Sequence, residues 1–162
     1  MYKVLRRLGL LLLVLAALVL LAGRLGALSG RMPTDLGVTK GRLKAPSDTP
    51  NSVSSQAGLW PGHAQRDRAR IDPLLVRADR GDAMLRLQAV VAAMPGAKVV
   101  TVTPDYLYAQ FTTPVLQFVD DVEFLRDAPA GVIHMRSASR LGYGDQGVNR
   151  ARIEAVRARW GG

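Results

Sequence analysis

The chain has 162 residues, no Cys, two His (His63 and His134) and a net charge of +9. Without Cys there is no disulfide framework, thiol nucleophile or Cys-based zinc site, and two His cannot make a three-His metal site within one chain. Once residues 1–30 and 31–50 are set apart, one small domain fits, which excludes a two-domain enzyme and a full dinucleotide-binding fold.

The basic excess gathers at the front. Lys3, Arg6, Arg7 and Arg24 stand there without an acid, whereas bases and acids nearly balance from residue 51 onward. Such placement suits a membrane flank, where basic residues hold a helix end near anionic headgroups. No aromatic-rich basic strand or recognition-helix pattern points to nucleic acid.

Leu8 through Leu28 is apolar apart from Gly9, Gly23, Arg24 and Gly26. Its length approaches the ~20 residues that cross a bilayer, and Arg24 is near enough to the end to snorkel. Ala27-Leu28-Ser29 is a weak small-x-small cleavage site, so a retained signal-anchor is favoured over a cleaved signal. The short basic n-region predicts N-inside insertion. That makes a single-pass protein of the inner (cytoplasmic) membrane with its domain outside the cytoplasm.

Residues 31–50, with Pro33, Gly37, Gly41, Pro46 and Pro50, read as a linker or extended arm. The stretch 51–73 is irregular too. A single domain is expected over 51–162. Asp82 predicts the N-cap of a helix over 83–94, facing the core with Met84, Leu87, Val90, Val91 and Met94 and ended by Pro95-Gly96. A hairpin follows over 98–103 and 106–112. Pairing Thr103 with Tyr106 puts Val100, Val102, Leu107, Ala109 and Phe111 on one face.

A second hairpin joins 118–126 to 131–139. A loop over 127–130 sets Phe124 opposite Ile133, Val122 opposite Met135, Glu123 opposite His134 and Asp121 opposite Arg136. The last helix, over 147–160, turns Val148, Ile153, Val156 and Trp160 inward. The predicted fold is α+β: an antiparallel four-stranded meander with two helices on one face, preceded by an N-terminal hydrophobic helix.

This register leaves an exposed sheet face carrying Asp121, Glu123, His134 and Arg136, with Asp120 and Arg140 beside it. Two chemistries suit such a set. Opposite charges can stabilise the sheet and bind a protein partner, an anionic lipid headgroup or another anion; alternatively Asp120, Asp121, Glu123 and His134 can hold a metal or divide acid and base roles. The first is favoured, as a non-enzymatic role with no cofactor. Ser137 and Ser139 are expected to point away from His134, against a Ser–His pair.

Residues 142–147 match G-x-G-x-x-G, but no second strand follows for a dinucleotide unit. They read instead as a turn whose Asp145 caps the last helix, with Arg140 and Arg150 flanking a weaker anion site at its start.

Three motifs point to a family: Pro50-Asn51-x-Val53-Ser54-Ser55-Gln56-Ala57, Phe118-Val119-Asp120-Asp121-Val122-Glu123-Phe124, and Arg136-Ser137-Ala138-Ser139-Arg140-x-Gly142-Tyr143-x-Asp145-x-Gly147-Val148-Asn149-Arg150-x-Arg152-Ile153-Glu154. They resemble the uncharacterised family catalogued as domain of unknown function 1499, from about Leu43 to Arg159. The resemblance implies a bacterial, membrane-associated protein and no established activity. Asn149, which stands in the third motif, joins the candidate binding residues. Relatives often carry Cys where this chain has Ala45 and Ser52, which fits a disulfide that this chain does without. They tend to carry Arg and Glu where Tyr108 and Gln110 stand here.

Overall fold

The computed structural model describes residues 1–77 and 82–161. Helix α1 runs from Tyr2 to Arg24 and is long and apolar enough to cross a membrane. Its apolar window is uncovered by the rest of the protein. The domain then supplies β1 (Ser52–Ser54), a 3-10 turn (Ala57–Leu59), α2 (Arg66–Ala69), β2 (Leu74–Leu75), α3 (Ala83–Ala92), β3 (Ala97–Val102), β4 (Tyr106–Thr112), β5 (Val119–Asp127), β6 (Val132–Ser139) and α4 (Val148–Gly161).

The α+β class holds. Strands β3 to β6 form the expected meander, and β1 and β2 add to it by pairing antiparallel with the two ends of β6. A strand of three residues is too short to show an alternation, so the stretch 51–73 gives no strand signal, and β2, with two residues just beyond it, gives none either.

Helices α3 and α4 pack against one another and cover one face of the sheet. Beneath them Leu107, Ala109, Phe111, Val122, Phe124, Ile133 and Met135 meet Met84, Leu87, Val91, Ile153, Val156 and Trp160. Asp82 caps α3 as expected, its Oδ1 accepting from the N–H groups of Met84 (2.8 Å) and Leu85 (3.1 Å). Gly96 turns the chain into β3 with φ +74°, where a Cβ would come within 2.4 Å of the Thr112 carbonyl oxygen. Only a residue without Cβ combines that φ with so close an approach.

Three details correct the predicted alternation. First, the register shifts between Val99 and Thr101, so Ala97 and Val99, not Val100, pack toward the core with their partners Phe111 and Ala109. The irregularity inverts the facing of everything before it. Second, the β5–β6 hairpin pairs Phe124 with Met135, Val122 with Ser137, Glu123 with Arg136 and Asp121 with Ala138. This is two residues from the predicted register. The loop is 128–131 because Gly131, at φ +65°, occupies the left-handed position, while Asp127 Oδ1 accepts from Ala130 N–H. Third, the buried stripe of α4 is Asn149, Ile153, Val156 and Trp160, leaving Val148 exposed. Spacings of four, three and four keep one helical face, and Val148 is a full step out of phase.

Candidate functional site

A two-residue slip preserves which side chains share a face, so Asp121, Glu123, His134 and Arg136 do lie opposite the helices, joined by Tyr106, Tyr108 and Gln110 of β4. The face is not exposed, however. Glu123 is 0%, Asp121 1% and Arg136 3% exposed. Segments that lie between α1 and the 3-10 turn close it. Gly37 N–H donates to Glu123 Oε1 (2.7 Å), Arg136 Nε to the Ala45 carbonyl (3.0 Å), and Leu43 N–H to Gln56 Oε1 (2.8 Å). Ser52 takes Ser47 N–H on its Oγ (2.8 Å).

Charges this deep must be matched, because an unpaired buried ion costs several kcal/mol or so. Arg140 grips Asp121 with two bonds, Nε to Oδ2 (2.9 Å) and Nη2 to Oδ1 (2.7 Å), and Tyr108 OH adds a third to Oδ1 (2.6 Å). This forked geometry is the strong form of an Arg–carboxylate pair. Arg136 Nη1 approaches Glu123 Oε2 at 3.5 Å, and Tyr106 OH donates to Glu123 Oε1 (2.9 Å). Burial pushes the Tyr106 phenol up, reinforced by the Glu123 carboxylate, and Tyr108 rises for the same reason beside Asp121. Burial lowers Arg136 against the pull of Glu123, whereas the bonds to Asp121 raise Arg140.

The other predicted residues part company with this network. Asp120 points to the helix side and pairs with Arg152 Nη2, whose guanidinium also stacks over the Phe111 ring. Strand alternation alone puts Asp120 with Val122 rather than with Asp121. His134 lies toward the other end of β6, with Nδ1 3.2 Å from Ser55 Oγ and Nε2 3.7 Å from Asp127 Oδ2. That hydroxyl accepts Met135 N–H at 2.8 Å, continuing the ladder where β1 leaves it. Among the described residues no group of three His, Cys, Asp or Glu is placed to hold a metal ion.

Asp145 is a cap as predicted, accepting from Gly147 N–H (3.0 Å) and Asn149 N–H (2.8 Å). Burial opposes ionisation there, but those two bonds win and hold its carboxyl below the usual range. Asn149 is fully used: its Nδ2 donates to the Asn51 carbonyl and Ser139 Oγ, and its Oδ1 accepts from Ser137 Oγ and Arg152 Nη1. Arg150 donates to the carbonyls of Arg68 and Arg70, away from Arg140. Arg140 and Arg150 therefore do not flank one anion site.

What the fold does assemble is a cleft of about 590 Å³ between residues 31–48 and the Arg136–Arg140 end of β6. Arg31, Lys44, Arg136 and Arg140 line it, against Asp48 and Asp121. Among the described residues Arg136 Nη2 and Arg140 Nη1 donate to no protein atom, and Arg31 forms no ion pair. Trp60 also borders the cleft, and its buried Nε1 meets no acceptor among the described residues. Sequence reasoning missed Arg31, Lys44 and Trp60. The one signal available was that Arg31 is the first charge after the apolar segment.

Fold and site together define an α+β domain on an antiparallel sheet, with one apolar helix at its N-terminus and its charged sheet face enclosed. The chain belongs to the family described as Protein of unknown function (DUF1499), which matches residues 42–159. No curated protein and no solved structure matches it. Of the four cations in the cleft, all but Arg31 lie within the matched stretch.

Proposed function

We propose that the protein is a single-pass membrane protein, retained by α1 in the inner (cytoplasmic) membrane with its domain outside the cytoplasm, and that the cleft binds a phosphate-type anion. Support for the anchor is the apolar, uncovered surface of α1 and the absence of any acid before Asp35. The observation that carries the binding role is the supply of unspent donors. Arg136 and Arg140 commit part of each guanidinium to Glu123 and Asp121, and the remaining N–H groups border the cleft beside Arg31 and Lys44. An Arg has five N–H donors, so one carboxylate does not exhaust it.

Acid–base or metal chemistry at the same place is disfavoured on the same geometry. Asp121 and Glu123 are each buried and held by an Arg and a Tyr, so a cation there would have to displace those partners. The test is calorimetry on the full chain in nonionic detergent, titrated with inorganic phosphate and, separately, with short-chain phosphatidylglycerol. Binding is expected to weaken about tenfold in Arg31→Ala, a loss of ~1.4 kcal/mol. Heats that are absent for both probes overturn the reading. Binding of phosphate alone, without the lipid, keeps the anion site and removes the headgroup as its source.

A further inference from the structure

The junction between α1 and the domain fixes which end of the sheet lies near the bilayer. Gly23, in the last turn of α1, is buried, and a Cβ there would fall 2.7 Å from the Leu116 carbonyl oxygen. A Cβ on Gly30 would fall 2.7 Å from Arg140 Cβ and 3.1 Å from Leu141 Cγ. Leu116 belongs to the turn between β4 and β5, and Arg140 and Leu141 follow β6. The pairs Thr112–Val119 and Asp120–Ser139 bring both to one end of the sheet. The loop 128–131 lies at the opposite end of β6, roughly 26 Å away at the usual rise per residue.

Around this junction the protein leaves apolar side chains uncovered. Val115, Leu141, Tyr143 and Val148 are between 41% and 77% exposed. Val148 and Pro114 share one surface groove, which ties the start of α4 to the same end. A helix the length of α1 extends about 34 Å, close to the ~30 Å of bilayer hydrocarbon. With Lys3, Arg6 and Arg7 snorkelling to one boundary, Gly23 lies near the other, and whatever touches Gly23 shares its depth.

From this contact we infer that the domain is seated in the membrane rather than tethered above it. Residues 113–118 and 141–148 lie in the headgroup layer, with Val115, Leu141, Tyr143 and Val148 turned into the boundary with the acyl chains. The occupant of this surface is the bilayer that holds α1. Tyr143 suits such a layer, since its ring is apolar and its hydroxyl polar. Arg24 and Arg31, both exposed, stand where anionic headgroups would be. The small residues Gly23 and Gly30 are what let the chain leave α1 flat against the domain. The inference rests on the reading of α1 as a membrane span, and it adds an orientation in which the cleft beside Arg31 and Arg140 opens near the membrane plane.

A chain without Cys makes the test clean. Single-site variants Val115→Cys, Tyr143→Cys and Ala128→Cys each take one nitroxide label, in full-length protein in phosphatidylcholine–phosphatidylglycerol nanodiscs. Labels at 115 and 143 are expected to collide several-fold more with oxygen, relative to a water-soluble nickel chelate, than the label at 128. Adding Gly23→Leu is expected to bring the label at 115 to the behaviour of the one at 128 while the domain keeps its melting temperature. Equal nickel access at 115, 143 and 128, in protein that stays in the nanodisc, overturns the seat and leaves the span. Protein that fails to enter the nanodisc overturns both.

Discussion

Over strands β4 to β6 the two faces of one sheet are both largely closed to water, by opposite means. Under α3 and α4 the closure is apolar and non-directional, with Leu107, Val122, Phe124 and Met135 fitted against Leu87, Val91, Ile153 and Val156. On the other face the contacts are ion pairs and hydrogen bonds, several of them from backbone groups of residues 37–47 to single side chains. Alternation along a strand decides which residues share a face; it does not decide what covers them. A face with Asp, Glu and Arg is expected to meet solvent because burying charge is costly. Here mutual pairing offsets much of that cost, and a chain segment without regular structure supplies the roof.

The largest test of this contrast removes one buried charge. Glu123→Ala leaves Arg136 without its carboxylate at 3% exposure and is expected to cost about 3–5 kcal/mol. Phe124→Ala on the other face should cost about as much, ~3–5 kcal/mol, by loss of packing. Denaturant midpoints measure both. The double variant Glu123→Gln with Arg136→Met separates the mechanisms: it should recover at least about 1 kcal/mol of the single loss. No second change is expected to rescue Phe124→Ala in that way.

Helix caps come next. Asp82→Ala and Asp145→Ala should each cost about 1 kcal/mol. Because the Asp145 carboxyl is held below its usual range, its contribution is complete above the unfolded value near 4 and fades as pH falls through the folded one. Asp145→Asn should flatten the acid limb of a stability–pH curve. The tyrosines act at the alkaline end. Tyr106 and Tyr108 are raised in the fold, so what they contribute is complete below about pH 10 and is lost as pH climbs further. Tyr106→Phe should reduce that alkaline loss. The smallest effect is expected at the rim, where Lys44 bonds the mostly exposed Asp35 at 2.6 Å. Lys44→Ala should cost less than about 1 kcal/mol.

Much of this fold was legible because local rules and tertiary packing agree. Asp82 and Asp145 were readable as caps, the meander as period-two runs, α1 as an apolar run, and the family from its three motifs. The errors have physical causes. The β5–β6 register slipped by two because that shift leaves every side chain on its face, so only the turn chemistry of Gly131 discriminates. Hydrophobicity alone favours Val148 inward, while helical phase selects Asn149, whose polar groups are all engaged. The roof was not legible at all. Its contacts use the Gly37 and Leu43 amides and the Ala45 carbonyl, and every residue carries such groups, so composition cannot mark them. The cleft inherits that blindness, since half of its cations stand on the same segment.

The claim on which the site depends is that this segment is fastened over the charged face. Amide hydrogen exchange at Gly37 and Leu43 in the full-length protein measures it most directly. Both N–H groups donate to buried or partly buried side chains, Glu123 and Gln56, and protection well above that of a free peptide is predicted, with Gly37 losing it in Glu123→Ala. Exchange of both amides at the free-peptide rate in the unaltered protein would contradict the account.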